Sequence, residues 1–418
     1  MHLGAIADDL TGATDLCLML AREGMRVVQT IGLPAEDFDF GDVDAVVVAL
    51  KSRTIPSAEA VGQSLAAARL LQAAGAKQFF FKYCSTFDST DAGNIGPVAE
   101  ALLDLLDAPL TIACPALPVN GRTVYRGHLF VGDQLLSDSP MKDHPLTPMR
   151  DANLVRVLQH QTTKRVGLVG FETVERGPDA MREAFDAAIR DGLQMLVVDA
   201  VTDTHLRSIG TAAAGLALIT GGSGIAIGLP ANFGVAPERR TDAAFRTPQG
   251  RSVVLAGSCS AQTRRQIAAA LASGVPALKV DPMEIAAGKR TAADVAQWVL
   301  DQKHPAPLVY SSDDPAEVAR AQEALGRERA GAIVEHLLSE VATRLAGSGF
   351  DRFVVAGGET SGAVVNALGV KALAIGPEID PGVPWTLGIG GERPMALALK
   401  SGNFGADDFF LKAWELLP

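Results

Sequence analysis

The chain has 418 residues, of which 48% are hydrophobic and 20% charged, and its formal net charge is −11. That length exceeds one ordinary core and favours two domains. The acidic balance argues against nucleic acid or an anionic membrane as the main partner, while a local basic pocket can still hold a small anion.

The four cysteines (Cys17, Cys84, Cys114 and Cys259) are widely spaced and include no Cys-x-x-Cys pair. This argues against a zinc cluster and suits a reducing cytosol. The opening MHLGAIADDLTG has no basic leader and reads as a first strand. No apolar run reaches the length that spans a bilayer, so a soluble, cytoplasmic protein is expected.

From there apolar runs alternate with helix-period segments. Strands are predicted at Leu3–Ala7, Val27–Ile31, 45–50, Gln78–Lys82 and 110–114, with helices at 13–23, 57–74 and 95–106. Fully apolar strands between amphipathic helices read as a parallel sheet covered on both faces. After Cys114, Asn-Gly and Val-Gly-Asp turn signals predict hairpins inserted into this domain. The alternation resumes with strands at 166–169, 194–199 and 215–219, a helix at 178–190 and another ending near 215. Residues 235–250 are polar and weakly periodic, and read as a linker between domains at 1–234 and 251–418. The second domain shows strands at 252–256, 307–310, 352–355 and 371–374 and one long helix near 315–346. The predicted fold class is therefore two α/β domains, each with a largely parallel sheet flanked by helices, with a cleft between them.

Three strand tips of the first domain carry chemistry. Asp8, Asp9 and Thr11 follow the first strand. Lys51 and Arg53 follow the third. Lys82, Ser85, Thr86, Asp88, Ser89 and Thr90 follow the fourth. Ligands of open α/β sheets bind outside this carboxyl edge. A carboxylate there can accept a hydroxyl proton or hold Mg²⁺, and Arg can grip a carboxylate through two parallel bonds. Each cluster has a plain rival reading: helix capping for Asp9 and Thr11, solvated charges for Lys51 and Arg53, a capped turn after Lys82. Three such tips in succession favour a polar pocket for an anionic polyhydroxy ligand. The hairpin region adds Asn120, Arg122, Tyr125, Arg126 and His128, and the segment after it adds His144 and Thr147. The two histidines are at most pocket-lining, and Cys84 and Cys259 read as packing residues.

In the second domain VLAGSCSAQT and VVAGGETSGA each follow a strand and precede a helix, the form whose amides attract phosphate. LKSGNFG (399–405) is a third glycine turn. No GxxxxGK[ST], no GxGxxG at the first strand and no protein-kinase catalytic loop is present.

Taken in order, ADDLTGA, KSR, KYCSTFDST, CPALPVNGRTVYRGHLFV, DHPLTPM, AGSCS, AGGETSG and LKSGNFG resemble the four-carbon acid sugar kinase family over nearly the whole chain. KYCSTFDST, CPALPVNGRTVY and HPLTPM look most like its 3-oxo-tetronate kinase branch, whose members phosphorylate the 4-hydroxyl of 3-oxo-tetronates. Sister branches act on D-threonate or D-erythronate. The resemblance implies an acid-sugar domain followed by an ATP domain. It implies substrate at Asp9, Arg53 and the stretch Lys82, Tyr83, Cys84 and Ser85. It implies ATP at Ser258, Gly357, Gly358, Glu359, Thr360 and Gly402. Joined to the residue reading, it gives Asp9 as orienting group or base with Asp8 in support, Lys51 beside Arg53 at the substrate, and Mg²⁺ as expected cofactor with no ligands identified. The two halves are expected to close over the reaction. A sugar-acid dehydrogenase and a non-catalytic sugar-acid binding protein are the rivals, and the sequence leaves homo-oligomer formation open.

Overall fold

The computed structural model describes all residues except 144–146, 238–244, 246, 313–314 and 418, and leaves the side chains of 315, 316, 327 and 328 undescribed. His144 and part of the predicted linker thus lie outside the described residues. The chain divides into two compact units, Met1–Arg240 and Thr241–Pro418.

The strands of the first unit are β1 (Leu3–Ala7), β2 (Val27–Ile31), β3 (Ala45–Ala49), β4 (Gln78–Lys82), β5 (Thr111–Cys114), β6 (Arg122–Tyr125), β7 (His128–Val131), β8 (Gln134–Leu135), β9 (Val166–Val169), β10 (Met195–Val198) and β11 (Leu218–Gly221). Its helices are α1 (Leu10–Arg22), α2 (Ser57–Ala73), α3 (Ile95–Leu105), α4 (Leu154–Gln161), α5 (Phe171–Glu175), α6 (Pro178–Arg190) and α7 (Asp203–Ala212). Eight strands form a parallel array in the order β2-β3-β1-β4-β11-β5-β10-β9. Strands β1, β3 and β4 are buried at every position, as apolar runs covered on both faces require. The chain leaves β1 toward β3 and β2, then crosses back to place β4 on the other side of β1. The strand order therefore reverses between β1 and β4. The predicted hairpins are present as the antiparallel set β6-β7-β8.

The second unit holds β12 (Arg251–Ala256), β13 (Ala277–Lys279), β14 (Leu308–Tyr310), β15 (Phe350–Ala356), β16 (Ala372–Asp380), β17 (Val383–Ile389) and β18 (Met395–Lys400), with α8 (Ala261–Ala272), α9 (Pro282–Ala286), α10 (Ala292–Asp301), α11 (Pro315–Leu325), α12 (Arg327–Gly347), α13 (Gly358–Ala367) and α14 (Phe409–Lys412). The order is β13-β14-β12-β15-β18-β17-β16, parallel from β13 to β18 and antiparallel through β17 and β16. The reversal here falls between β12 and β15.

Two expectations need correction. The predicted long helix at 315–346 is two helices, because Gly326 takes φ +85°, a left-handed conformation that ends α11 before α12 begins. The predicted strand at 371–374 is the start of a nine-residue strand that pairs with β17, a strand missed in VPWTLGI because Pro384 and Gly388 interrupt its alternation.

Candidate active site

At the first reversal point the tips of β3, β1 and β4 are tied together through the backbone of Asp8. Its N–H donates to the Lys82 carbonyl (3.0 Å), and its carbonyl accepts from the Ser52 N–H (3.0 Å). The side chains then converge. Arg53 donates to both oxygens of Asp8, Nε to Oδ2 at 2.8 Å and Nη2 to Oδ1 at 2.7 Å, and Nη2 also reaches Asp9 Oδ1 at 2.8 Å. Its Nη1 lies 3.7 Å from Asp88 Oδ2. Burial raises the Asp8 carboxyl above its ordinary range, with Arg53 opposing the shift. Burial alone would lower the Arg53 guanidinium, but the Asp8 bonds and the charges of Asp8 and Asp9 reverse this and raise it.

Asp9 caps α1, its Oδ1 accepting from the Gly12 N–H at 3.0 Å. The capping role weighed against catalysis is thus present, and both bonds to this carboxylate fall on Oδ1. Lys82 is buried and donates to the Tyr83 carbonyl at 2.7 Å. A side chain on Gly12 would overlap Asp9 Oδ1 and come within 2.9 Å of Lys82 Nζ, so a larger residue here would have to push both side-chain ends aside.

The loop after β4 carries two consecutive left-handed non-glycine residues, Phe87 (φ 64°) and Asp88 (φ 28°), a costly backbone that aims Asp88 at Arg53. Thr86 donates to Asp88 Oδ1 at 2.6 Å, and Cys84 Sγ lies 2.9 Å from Thr86 Oγ1. Burial pushes the Cys84 thiol up to about 11, which keeps it from acting as a nucleophile at neutral pH. The Tyr83 ring is fully buried between Phe81 and Phe87, with its hydroxyl at Thr220, so its side chain belongs to the core. Ser85 is half-buried in the loop, while Lys51 is exposed.

At the second reversal point Ala256, Ala356 and Lys400 end three neighbouring parallel strands at one level. The amides of Gly257 and Ser258 donate to the Ala356 carbonyl, and that of Gly357 donates to Lys400. These three N–H groups are used up inside the sheet edge. Gly358, Glu359 and Thr360 form the first turn of α13, whose amides have no acceptor within the helix. The third glycine turn docks here: the Gly402 carbonyl accepts from Ser260 Oγ (2.6 Å) and Thr263 Oγ1 (2.9 Å), and a Cβ on Gly402 would overlap Ser258 Oγ. Beside the turns lies a cavity of about 160 Å³ lined by Gly257, Pro282, Met283, Val318, Val334 and Thr360 among others.

A family model described as "Sugar-binding N-terminal domain" matches residues 3–229, and one described as "Nucleotide-binding C-terminal domain" matches residues 253–410. A 3-oxo-tetronate kinase of Cupriavidus necator is 57% identical, covering 99% of this chain and 97% of its own length. The chain belongs to the four-carbon acid sugar kinase family, in its 3-oxo-tetronate kinase branch. Two solved structures share the fold over essentially both full chains. One is a Salmonella typhimurium LT2 protein provisionally called a tRNA synthase (42% identity, TM-score 0.92, 100% of each chain). The other comes from Haemophilus influenzae (41% identity, TM-score 0.88, 99% of this chain and 100% of that one). As a member of a kinase family with a nucleotide-binding domain, the chain uses ATP.

Three residues that contact this cluster or the loops around it escaped the sequence reading. Asp15, six residues beyond Asp9 on α1, accepts a hydrogen bond from Ser223; burial raises its carboxyl above the ordinary range, and the Lys82 charge is the largest influence opposing that shift. Its signal was a third acid in ADDLTGATD, read there only as helix. Ser223 lies in GGSG, 208 positions away in sequence. Asn94 stands at the N-cap of α3, but its side chain makes no capping bond; its Nδ2 instead holds the carbonyls of Ser52 (2.8 Å), Arg53 (3.3 Å) and Ile55 (2.9 Å), fixing the loop that carries Arg53. Asp199, fully buried, accepts from the amides of Arg126, Gly127 and Phe171, and His128 Nδ1 lies 2.8 Å from the Arg126 carbonyl.

Proposed function

We propose that this chain transfers the γ-phosphoryl group of ATP to the 4-hydroxyl of a 3-oxo-tetronate, giving the 4-phosphate and ADP. The observation that carries the reading is the Asp9–Arg53–Lys82 cluster at a sheet reversal point, inside the segment matched by the sugar-binding description. The acid is held by residues 1–234 and the nucleotide by 251–418, with 235–250 joining them.

Arg53 has its Nε and Nη2 edge committed to Asp8 and Asp9, so its Nη1 edge, with Lys82, takes the substrate carboxylate. Ser85 and the backbone of Tyr83 and Cys84 bind the sugar oxygens, and Lys51 adds long-range attraction from the surface. Asp9 Oδ2 accepts the proton of the 4-hydroxyl as its oxygen bonds to the γ-phosphorus and the bond to the ADP oxygen breaks. Asp8 keeps Arg53 in register. Ser258 and the amides of Gly358, Glu359 and Thr360 receive the phosphates, with Gly357 and Gly402 allowing their close approach. The adenosine occupies the cavity walled by Pro282, Met283, Val318 and Val334.

Mg²⁺ neutralises charge on the β- and γ-phosphates in such transfers. Among the described residues no group of three His, Cys, Asp or Glu could hold a metal. The ion would arrive on ATP and keep several waters, and Asp8 would meet it through water. Four free cysteines and, among the described residues, no helix long and apolar enough to cross a membrane are in keeping with a cytoplasmic protein.

The test is ADP release measured over a panel of four-carbon sugar acids. Higher kcat/KM on 3-oxo-tetronates than on D-threonate and D-erythronate is expected. Preference for the non-oxidised acids would move the chain to a sister branch, and tight acid binding with no ADP from any of them would make it a binding protein.

A further inference from the structure

Lys400 ends β18 with its side chain 1% exposed, beneath the meeting point of the three glycine turns. Its ammonium reaches two neutral oxygens, Thr263 Oγ1 at 3.1 Å and the Gly402 carbonyl at 3.1 Å. The Phe410 ring lies 6.0 Å away. The charged groups on the elements packed around it are engaged elsewhere or exposed. On α8, Arg265 pairs with Asp407, and Arg264 donates to the Cys259 carbonyl. On α14, Lys412 holds Asp380 of β16 and Asp408. Glu359 at the start of α13 is exposed, and Asp351 and Arg352 lie at the opposite end of β15. Burial, with no charge opposing it, lowers the Lys400 amine to about 7.

A buried cation without a carboxylate is costly unless an anion is brought to it. The Gly402 turn that Lys400 fastens packs against Ser258, and the Gly357 N–H donates to the Lys400 carbonyl, which ties this lysine to the turns read as the phosphate site. We propose that Lys400 is the counter-charge for the nucleotide phosphates, a positioning residue that takes up a proton when nucleotide binds. This rests on the reading of the turns as the phosphate site. It goes beyond that reading by making nucleotide affinity fall with rising pH.

The experiment is calorimetry of MgADP binding to the full chain at pH 8 in buffers of different ionisation enthalpy. A group near 7 when free and at or above about 9 when bound takes up about 0.8 proton per nucleotide at this pH. The same shift makes Kd rise about 25-fold from pH 7 to pH 9. In Lys400→Met the uptake vanishes and Kd becomes flat over that range. Loss of stability in this variant with the uptake unchanged would overturn the proposal and leave Lys400 a structural fastener. Should Lys400→Met not fold, the wild-type profile decides alone, and a Kd that does not vary between pH 7 and 9 overturns the proposal. No MgADP binding at any pH would instead refute the phosphate-site reading itself.

Discussion

The two reversal points solve one problem, holding an anion at a sheet edge, with different materials. The first uses side chains: Asp8, Asp9, Asp15 and Asp88 set against Arg53 and Lys82. The second uses backbone: three glycine turns, one helix start and a single buried lysine. A sugar acid is small and must be told from its isomers, which demands directional groups aimed at particular oxygens. Triphosphate is the same in every nucleotide, and amides with a helix dipole hold it without discrimination. Substitutions at the first point should therefore change the acid's kinetics and leave nucleotide binding intact, and the reverse should hold at the second.

The largest effect is expected from Asp9→Asn. Asparagine still caps α1, so the fold is kept, while loss of a general base lowers kcat by about 10²–10⁴-fold. Steady-state kinetics with saturating ATP would measure this, and turnover near that of wild type would remove Asp9 from the base role.

Next is Arg53→Met, which strands the buried Asp8 carboxyl without its partner. Arg53 is itself 23% exposed, so the expected loss is about 3 kcal/mol, the lower end for breaking a buried pair. Burial already raises the Asp8 carboxyl above 3.8, so the stability it contributes is full below that value and lost as pH rises through its folded pKa. Arg53 limits the shift. The deficit of the variant therefore widens from pH 4.5 to pH 8 in urea unfolding, and a deficit that narrows would contradict this account.

The sharpest form of the comparison is a pair of added methyl groups. Gly12→Ala pushes a Cβ into Asp9 and Lys82, and should lower kcat/KM for the acid about 10²-fold with MgADP affinity unchanged. Gly402→Ala pushes one into Ser258 Oγ, and should weaken MgADP about tenfold with the affinity for the acid unchanged. Calorimetric titration with each ligand separates the two, and crossed effects would show the two points to be coupled. The smallest effect is expected from Asn94→Ala. Freeing the Arg53 loop should raise KM for the acid several-fold, about 1 kcal/mol, with kcat little changed.

Much of this was legible in the chain by itself. The strands Leu3–Ala7, Val27–Ile31 and Gln78–Lys82 were read to the residue, because a buried parallel strand is a short apolar run with sharp ends. The acids after β1, the cations after β3 and the glycines after β12 and β15 were visible because tip and turn chemistry is local. β17 was hidden by its Pro and Gly, and Gly326 gave no sign that it would end a helix where Ala, Glu and Arg run on either side.

What the residues alone established is which short segments are strands and which side chains stand at their ends, since period and turn preference act over a few residues. Which tips become neighbours was decided only by the packed sheets. Strand order sets β1 between β3 and β4, and β15 between β12 and β18. From that order follow the engagement of Arg53 by two acids, the contact of Asp15 with Ser223 and the burial of Lys400 under a turn. Each is a consequence of desolvation and close approach, which depend on the atoms that surround a group and not on its neighbours along the chain.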